Sequence, residues 1–217
     1  MKRIAIVLSG RGSNMAAIAE ACASQRWPAR IVSVVSNVPS AEGLARAEAL
    51  GLSMRVVDHR AEPDRERYDE ALARTLDAES PDLVVLAGYM RILSGRCVRH
   101  YEGRLLNVHP SLLPSFPGLR THRHALEAGV QVHGATVHFV TDDLDCGPIV
   151  AQAAVRVRED DTEETLGARV LRAEHRLYPM AVRWFVEDRL RIQASLVQVR
   201  SEGLAERGEA RLLWGEE

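Results

Sequence analysis

A short apolar run recurs four times in the first half of the chain, with a turn and an amphipathic stretch between each run and the next, and this alternation constrains the fold more than any other feature. Residues 4–8 (IAIVL) are apolar without a break and stop at Ser9-Gly10, as a strand buried on both faces does. The stretch 15–25 behind them predicts a helix. Ser13 or Asn14 is the expected cap, since either side chain can accept from the unpaired first N–H groups. Residues 31–36 predict a second strand, and 41–50 a helix closed by Gly51. A third strand at 54–57, a helix capped by Asp64, and a fourth strand at 82–87 (DLVVLA) complete the series. Short links between such units imply an α/β fold: a mostly parallel, twisted sheet with helices on both faces.

The second half is less regular. Residues 104–109 read as a strand that runs into a Pro-rich loop at 110–118, and Thr121 as the cap of a short helix. Strand-like runs at 132–140 and 149–157 flank the turn 141–148. Asp161 and Glu164 have the spacing of a capping box for a long helix, which Pro179 is expected to kink or divide. Residues 189–194 could form a last edge strand. The expected division is a single domain over 1–194, with a phosphate-binding half over about 1–100 and a catalytic half over about 101–194, followed by an extension at 195–217. The polar, Gly-interrupted tail after Ser201 reads as loosely attached.

Charge and cysteine usage exclude several classes. Lys and Arg number 28 against 30 Asp and Glu, so no general basic field exists to hold nucleic acid. Three scattered cysteines form no CxxC pair and no disulfide framework, which fits a reducing compartment. The apolar run behind Met1-Lys2-Arg3 is too short for a signal peptide, and none approaches the length of a membrane span. A cytoplasmic protein with no membrane partner is the expectation.

Three motifs could carry chemistry. Gly10-Arg11-Gly12-Ser13-Asn14 follows the first strand and opens the first helix. Such a turn is either a phosphate cradle, built from free N–H groups and a helix dipole, or a tight turn without a ligand. A dinucleotide site is disfavoured, because Met15 takes the third small position and Ser36-Asn37 stands where a ribose-binding acid belongs. Asn107-Val108-His109-Pro110 ends a strand, so Asn107 and His109 share a face. An Asn donor beside a His can stabilise an oxyanion and move protons; equally, it can be a polar strand end. Asp142, Asp143 and Asp145 lie in a turn that lacks the EF-hand offsets, and a solvated turn is the better reading of that turn taken alone. His122 and His124 do not share a helix face, and His133 and His138 are five apart on a strand, so no metal site is expected.

Together these segments resemble the folate-dependent phosphoribosylglycinamide formyltransferases over about residues 1–194. The carrying stretches are GRGSN at 10–14, VVLAGYMRILS at 84–94, GRLLNVHPSLLPSFPG at 103–118, HGATVHFVTDDLDCGPIVAQ at 133–152 and EHRLYP at 174–179. The resemblance implies a formyltransferase (Rossmann-like) fold and formyl transfer from 10-formyltetrahydrofolate to the amine of N1-(5-phosphoribosyl)glycinamide in purine biosynthesis, without a metal. It implies roles as well. Gly12, Ser13 and Asn14 match the substrate phosphate loop, and Glu174 a ligand of the substrate ribose. Asn107, His109 and Asp145 match a catalytic trio. Met90, Arg91, Ile92 and Leu93 match the wall for the pterin, with Arg65, Asn107, Val140 and Asp143 as further folate contacts. Arg11, Arg120 and Leu171 depart from the pattern at accessory positions.

The implied partners are therefore two small molecules, glycinamide ribonucleotide and formyl-folate, with the protein a monomer or weak homodimer. The resemblance also bears on related enzymes. A methionyl-tRNA formyltransferase carries an extra C-terminal domain and a basic face, neither of which is expected here. A formyltetrahydrofolate hydrolase carries an N-terminal regulatory domain, whereas here the first strand begins at residue 4. The rival of another class is a catalytically dead nucleotide- or folate-binding module.

Overall fold

The computed structural model describes residues 1–200 and 212–214, which fall into two compact units: 1–107 with 140–142, and 108–139 with 143 onward. The first unit contains β1 (Lys2–Leu8), α1 (Ser13–Ser24), β2 (Ala29–Ser36), α2 (Glu42–Ala49), β3 (Met54–Val56), α3 (Arg65–Asp77), β4 (Leu83–Leu86), α4 (Gly95–His100) and most of β5 (Leu105–His109). Its strands lie in the order β3-β2-β1-β4-β5 and every pairing is parallel.

Residues 4–8 are wholly buried, as an uninterrupted apolar strand in a covered parallel sheet must be. Ala5 and Val7 face a core with Tyr68, Leu72 and Leu76 of α3 and Cys97 and Val98 of α4. On the opposite face Leu8 approaches Gly43 of α2, so helices cover both sides. The chain passes from β1 outward to β2 and β3, then crosses to β4 on the other side of β1. Strand order thus reverses between β1 and β4, the position at which open α/β sheets tend to bind ligands.

The second unit holds α5 (Thr121–Glu127), β6 (Val132–Phe139), β7 (Ile149–Arg156), α6 (Glu163–Val186), β8 (Leu190–Gln193), β9 (Leu196–Val199) and β10 (Leu212–Trp214). β6 and β7 pair antiparallel, and β10 adds to β7 in parallel. Gly134 has a steric reason to be glycine. A Cβ there would collide with the carbonyl oxygen of Ala153 on the neighbouring strand. The helix α6 packs on β6 and β7 through Leu166, Val170, Leu177, Ala181 and their neighbours.

The α/β class, with mostly parallel strands and helices on both faces, is as the sequence implies; several local expectations are corrected. Neither Ser13 nor Asn14 caps α1. Both lie inside it, and Gly12, in the left-handed region at φ 71°, holds the cap position without a side-chain bond. Thr121 is likewise the first residue of α5 and no cap; its hydroxyl donates to the Pro110 carbonyl at 2.7 Å. The capping box of α6 is Thr162 with Thr165, because Asp161 is engaged by Arg169. Pro179 does not divide α6, which runs unbroken through it. Residues 95–100 form a helix that the sequence reading lacked, capped by Ser94, whose Oγ accepts from the Cys97 N–H. Among the described residues, the strand expected at 189–194 joins no large sheet, and β8 pairs only with β9. Part of the tail is not loose, since Leu212–Trp214 pair with β7, while 201–211 and 215–217 lie outside the described residues.

Asp161 and Arg169 make two hydrogen bonds, at 2.7 and 2.8 Å, with the Asp161 side chain 2% and the Arg169 side chain 9% exposed. The guanidinium, aided by the Arg158 N–H and the Thr165 hydroxyl, holds the carboxyl well below the usual carboxylate range. A carboxylate whose folded pKa is depressed stabilises the fold fully above its unfolded value of about 3.9, and loses that contribution as pH falls towards the folded value. Asp161→Asn should cost about 3 kcal/mol at neutral pH, the penalty of stranding one partner of a buried pair. Urea unfolding should find the difference between wild type and variant shrinking steadily as pH falls below about 4.

Candidate functional site

The first unit places two segments at the reversal of strand order. The loop 9–12 leaves the end of β1, and the segment 88–94 leaves the end of β4. They are joined directly: the Ser9 N–H donates to the Gly88 carbonyl at 3.1 Å, and the Met90 N–H to Ser9 Oγ at 2.9 Å. Gly12 is confined twice over. Its φ of 71° disfavours any side chain, and a Cβ would sit 2.6 Å from Gly43 Cα. The α2 N-terminus is drawn in by the Gly43 N–H, which donates to the Gly10 carbonyl at 2.9 Å. Ser13 is half-buried and Asn14 buried at the start of α1, where N–H groups and the helix dipole favour an anion.

In the segment 88–94 the side chains alternate. Tyr89 and Leu93 are buried, whereas Met90 is 71% and Ile92 57% exposed. Arg91 is half-buried, its guanidinium 5.1 Å from the centre of the Tyr68 ring. Arg65, the first residue of α3, is exposed. Val140 is partly buried against this unit's core, and its N–H donates to the Leu105 carbonyl at 2.9 Å. Asn107 is half-buried on β5, in register with Leu86 of β4.

The second unit brings His109 and Asp145 together. The His109 and Asp145 side chains are each 7% exposed, with Nδ1 and Oδ2 3.5 Å apart. His109 Nε2 lies 2.9 Å from the Phe116 carbonyl. A carbonyl only accepts, so Nε2 carries a proton. The other nitrogen faces a carboxylate, at a separation longer than a normal hydrogen bond. Nδ1 thus faces the carboxylate without a closed hydrogen bond to it. Asp145 is fixed from two sides. Its Oδ2 accepts from the Gly118 N–H at 2.8 Å, and its backbone is left-handed at φ 55°, a conformation in which Asp is among the few side chains found often. His138 Nε2 stands 3.9 Å from Oδ1, with Nδ1 donating to the Phe139 carbonyl at 3.0 Å. Burial lowers the His138 pKa, which keeps that ring neutral beside the pair.

The Pro-rich loop thus supplies an acceptor to His109 and a donor to Asp145. It is anchored by a buried polar group that the sequence reading missed. Thr136 Oγ1 donates to the Ser111 carbonyl at 2.7 Å and accepts from the Leu113 N–H and from Gln152 Nε2, each at 3.0 Å. Gln152 also donates to the Leu113 carbonyl at 2.9 Å. The signal in sequence was a polar residue inside each of two buried strands.

Spacing also failed to join His122 with His133, which lie 3.2 Å apart through Nδ1 and Nε2. Burial first, then His122 and His109, push the His133 pKa down to about 4. Among the described residues no group of three or more His, Cys, Asp or Glu side chains is placed to hold a metal ion, and no helix is long and apolar enough to cross a membrane. Asp143 is exposed, its carbonyl accepting from the Cys146 N–H at 3.3 Å; Glu174 is buried on α6.

A family model described as formyl transferase matches residues 2–182. The chain belongs to the formyl transferase family. Among its relatives, a phosphoribosylglycinamide formyltransferase of Escherichia coli strain K12 is 45% identical over 207 residues, covering 95% of this chain and 98% of that one. The enzyme of the same name from Haemophilus influenzae is 40% identical over 210 residues, covering 97% and 99%. In structure, this formyl transferase matches glycinamide ribonucleotide transformylase 1 from Symbiobacterium toebii with a TM-score of 0.90 and 48% identity, over 93% of this chain and 95% of that one.

Two outcomes follow from the geometry. Gly12→Val should fail to give a folded protein, whereas Gly10→Ala, whose Cβ meets nothing within 4 Å, should melt within a few degrees of wild type. Thermal melts with circular dichroism decide this. His133 has a folded pKa below its unfolded value of about 6.5, so the unfolded chain binds the proton more readily. Stability is complete above about pH 6.5 and falls towards pH 4, by on the order of 3 kcal/mol from this group. Urea unfolding of wild type and His133→Gln at several pH values should show a shallower slope for the variant.

Proposed function

We propose that this chain transfers the formyl group of 10-formyltetrahydrofolate to the amine of N1-(5-phosphoribosyl)glycinamide, a step of purine biosynthesis. The observation that carries the reading is the buried His109–Asp145 pair two residues beyond Asn107, in a chain of this family. The strand-end loop at Gly12, Ser13 and Asn14 is the assigned holder of the substrate phosphate, and Glu174 of its ribose. Met90, Arg91, Ile92 and Leu93, with Arg65, Val140 and Asp143, are assigned to the folate, which is a cosubstrate that leaves as tetrahydrofolate.

The chemistry is a direct acyl transfer. The lone pair of the substrate amine adds to the formyl carbon, and the carbonyl π pair moves onto oxygen. Asn107, through its amide N–H, and His109, through a proton on Nδ1, donate to that oxygen as its charge develops. Asp145 orients the ring, its Oδ2 facing Nδ1 at 3.5 Å. The proton lost by the attacking nitrogen is delivered to the folate nitrogen. The bond from carbon to that nitrogen breaks with its pair going to nitrogen, and the C=O bond re-forms. Both oxyanion donors are presented on one strand, so little reorganisation accompanies the charge transfer. Asn107 also contacts the formyl-bearing end of the folate in this scheme.

The test is formyl transfer to glycinamide ribonucleotide, with methionyl-tRNA as the competing acceptor; preference for the tRNA would overturn the reading. His109→Ala and Asp145→Asn should each lower kcat on the order of a hundredfold or more, with melting temperatures near wild type. Ser13→Ala should raise KM for the ribonucleotide several-fold and leave KM for the folate unchanged. The opposite pattern would mean that the two pockets are exchanged.

A further inference from the structure

We propose that Asp69, on α3, is a positioning residue for the cosubstrate: it fixes the end of the segment 88–94 and so sets the pose of Met90 and Ile92. The proposal deepens the assignment of 90–93 to the folate, and rests on it. The segment is neither helix nor strand apart from its approach to α4, so its shape depends on partners outside it.

Those partners are specific. At the near end, Ser9 pairs with Gly88 and Met90 through its N–H and Oγ. In the middle, the Tyr89 hydroxyl meets the Tyr68 hydroxyl at 3.2 Å, and the Arg91 guanidinium lies over the Tyr68 ring. At the far end the Ser94 N–H donates to Asp69 Oδ2. Adjacent residues of α3, Tyr68 and Asp69, therefore hold the middle and the end. The anchor at Ser94 matters twice, because Ser94 also caps α4 through its Oγ. Its position fixes both where the exposed apolar stretch stops and where the helix starts.

Asp69 is an expensive choice for a merely structural anchor. It is 2% exposed, and its Oδ1 is buried with no hydrogen-bond partner among the described residues. A carboxylate desolvated this far, with one oxygen unmatched, detracts from stability relative to a neutral acceptor. What the charge provides is a stronger grip on the one N–H that it accepts from, since charge-assisted hydrogen bonds are shorter and stronger than neutral ones. The tightness of that grip is transmitted along two residues to Ile92 and four to Met90, both facing outward.

Steady-state kinetics of Asp69→Ala and Asp69→Asn, with both substrates varied and melts recorded in parallel, test the proposal. Asp69→Ala should raise KM for 10-formyltetrahydrofolate about tenfold while kcat and KM for glycinamide ribonucleotide stay within about twofold. Asp69→Asn keeps an acceptor for the Ser94 N–H and should recover most of the loss, with a residual rise of about two- to threefold. Should Asp69→Ala not fold, that residual rise in Asp69→Asn is the deciding figure, and its absence overturns the proposal. A fall in kcat that tracks lost folded protein, with both KM values unchanged, also overturns it by making Asp69 structural only. Met90→Ala and Ile92→Ala serve as controls: if neither alters KM for the folate, it is the underlying assignment of 90–93 that fails.

Discussion

β1 is buried on both faces, and that burial organises the first unit. A strand cut off from water must have its backbone groups paired on both edges, and here β2 and β4 do so, both parallel to it. Parallel pairing sends the chain back across the sheet through a helix each time, so every strand ends on the same edge and every following helix begins there. Polar loops, exposed N–H groups and the positive ends of helix dipoles accumulate on that edge for reasons of packing alone. The reversal of strand order falls between β1 and β4, the position at which open α/β sheets tend to bind ligands. The glycine turn of 9–12 and the segment 88–94 occupy that position, tied to each other through Ser9.

In the second unit the corresponding constraint is the anchoring of the Pro-rich loop. Its backbone does the work usually given to side chains, offering the Phe116 carbonyl to His109 and the Gly118 N–H to Asp145. Backbone groups have this use only if the loop is rigid. Rigidity comes from beneath, where Thr136 and Gln152 satisfy Ser111 and Leu113 inside the strand layer. A hydroxyl with one donor and two acceptor bonds filled has no freedom left, and it fixes the loop at Ser111 and Leu113.

The fold was largely legible in the sequence because its signals are local. Residues 4–8 and 82–87 read as buried strands from composition alone, and Asp64 caps α3 as expected, accepting from the Arg67 N–H. The errors arose where a local rule met a competing partner. Asp161 has capping spacing, but Arg169 claims it, and the box passes to Thr162 and Thr165. Gly12 took the cap position from Ser13 because a left-handed residue can end a loop without using a side chain. Pro179 was tolerated within α6, whose buried face supplies more than the missing bond removes. Of the candidate site, Asn107 and His109 were visible as a strand pair. The role proposed for Asp145 came only through family resemblance, because a turn acid looks like any other until its contacts are known. His138, the His122–His133 contact and the Thr136 anchor depend on which residues of separate elements meet, and no period or spacing encodes that.

The left-handed backbone at Asp145 restricts the chemistry of the position beyond its charge. Glutamate carries the same carboxylate, but its longer side chain gains nothing locally from a positive φ, whereas Asp and Asn are the acyclic side chains that tolerate it best. Lengthening the arm would also carry the oxygens past the Gly118 N–H that now registers them. The turn thus selects for acid length as well as acidity, and a chain searching sequence space for a substitute finds isosteres there before it finds another acid.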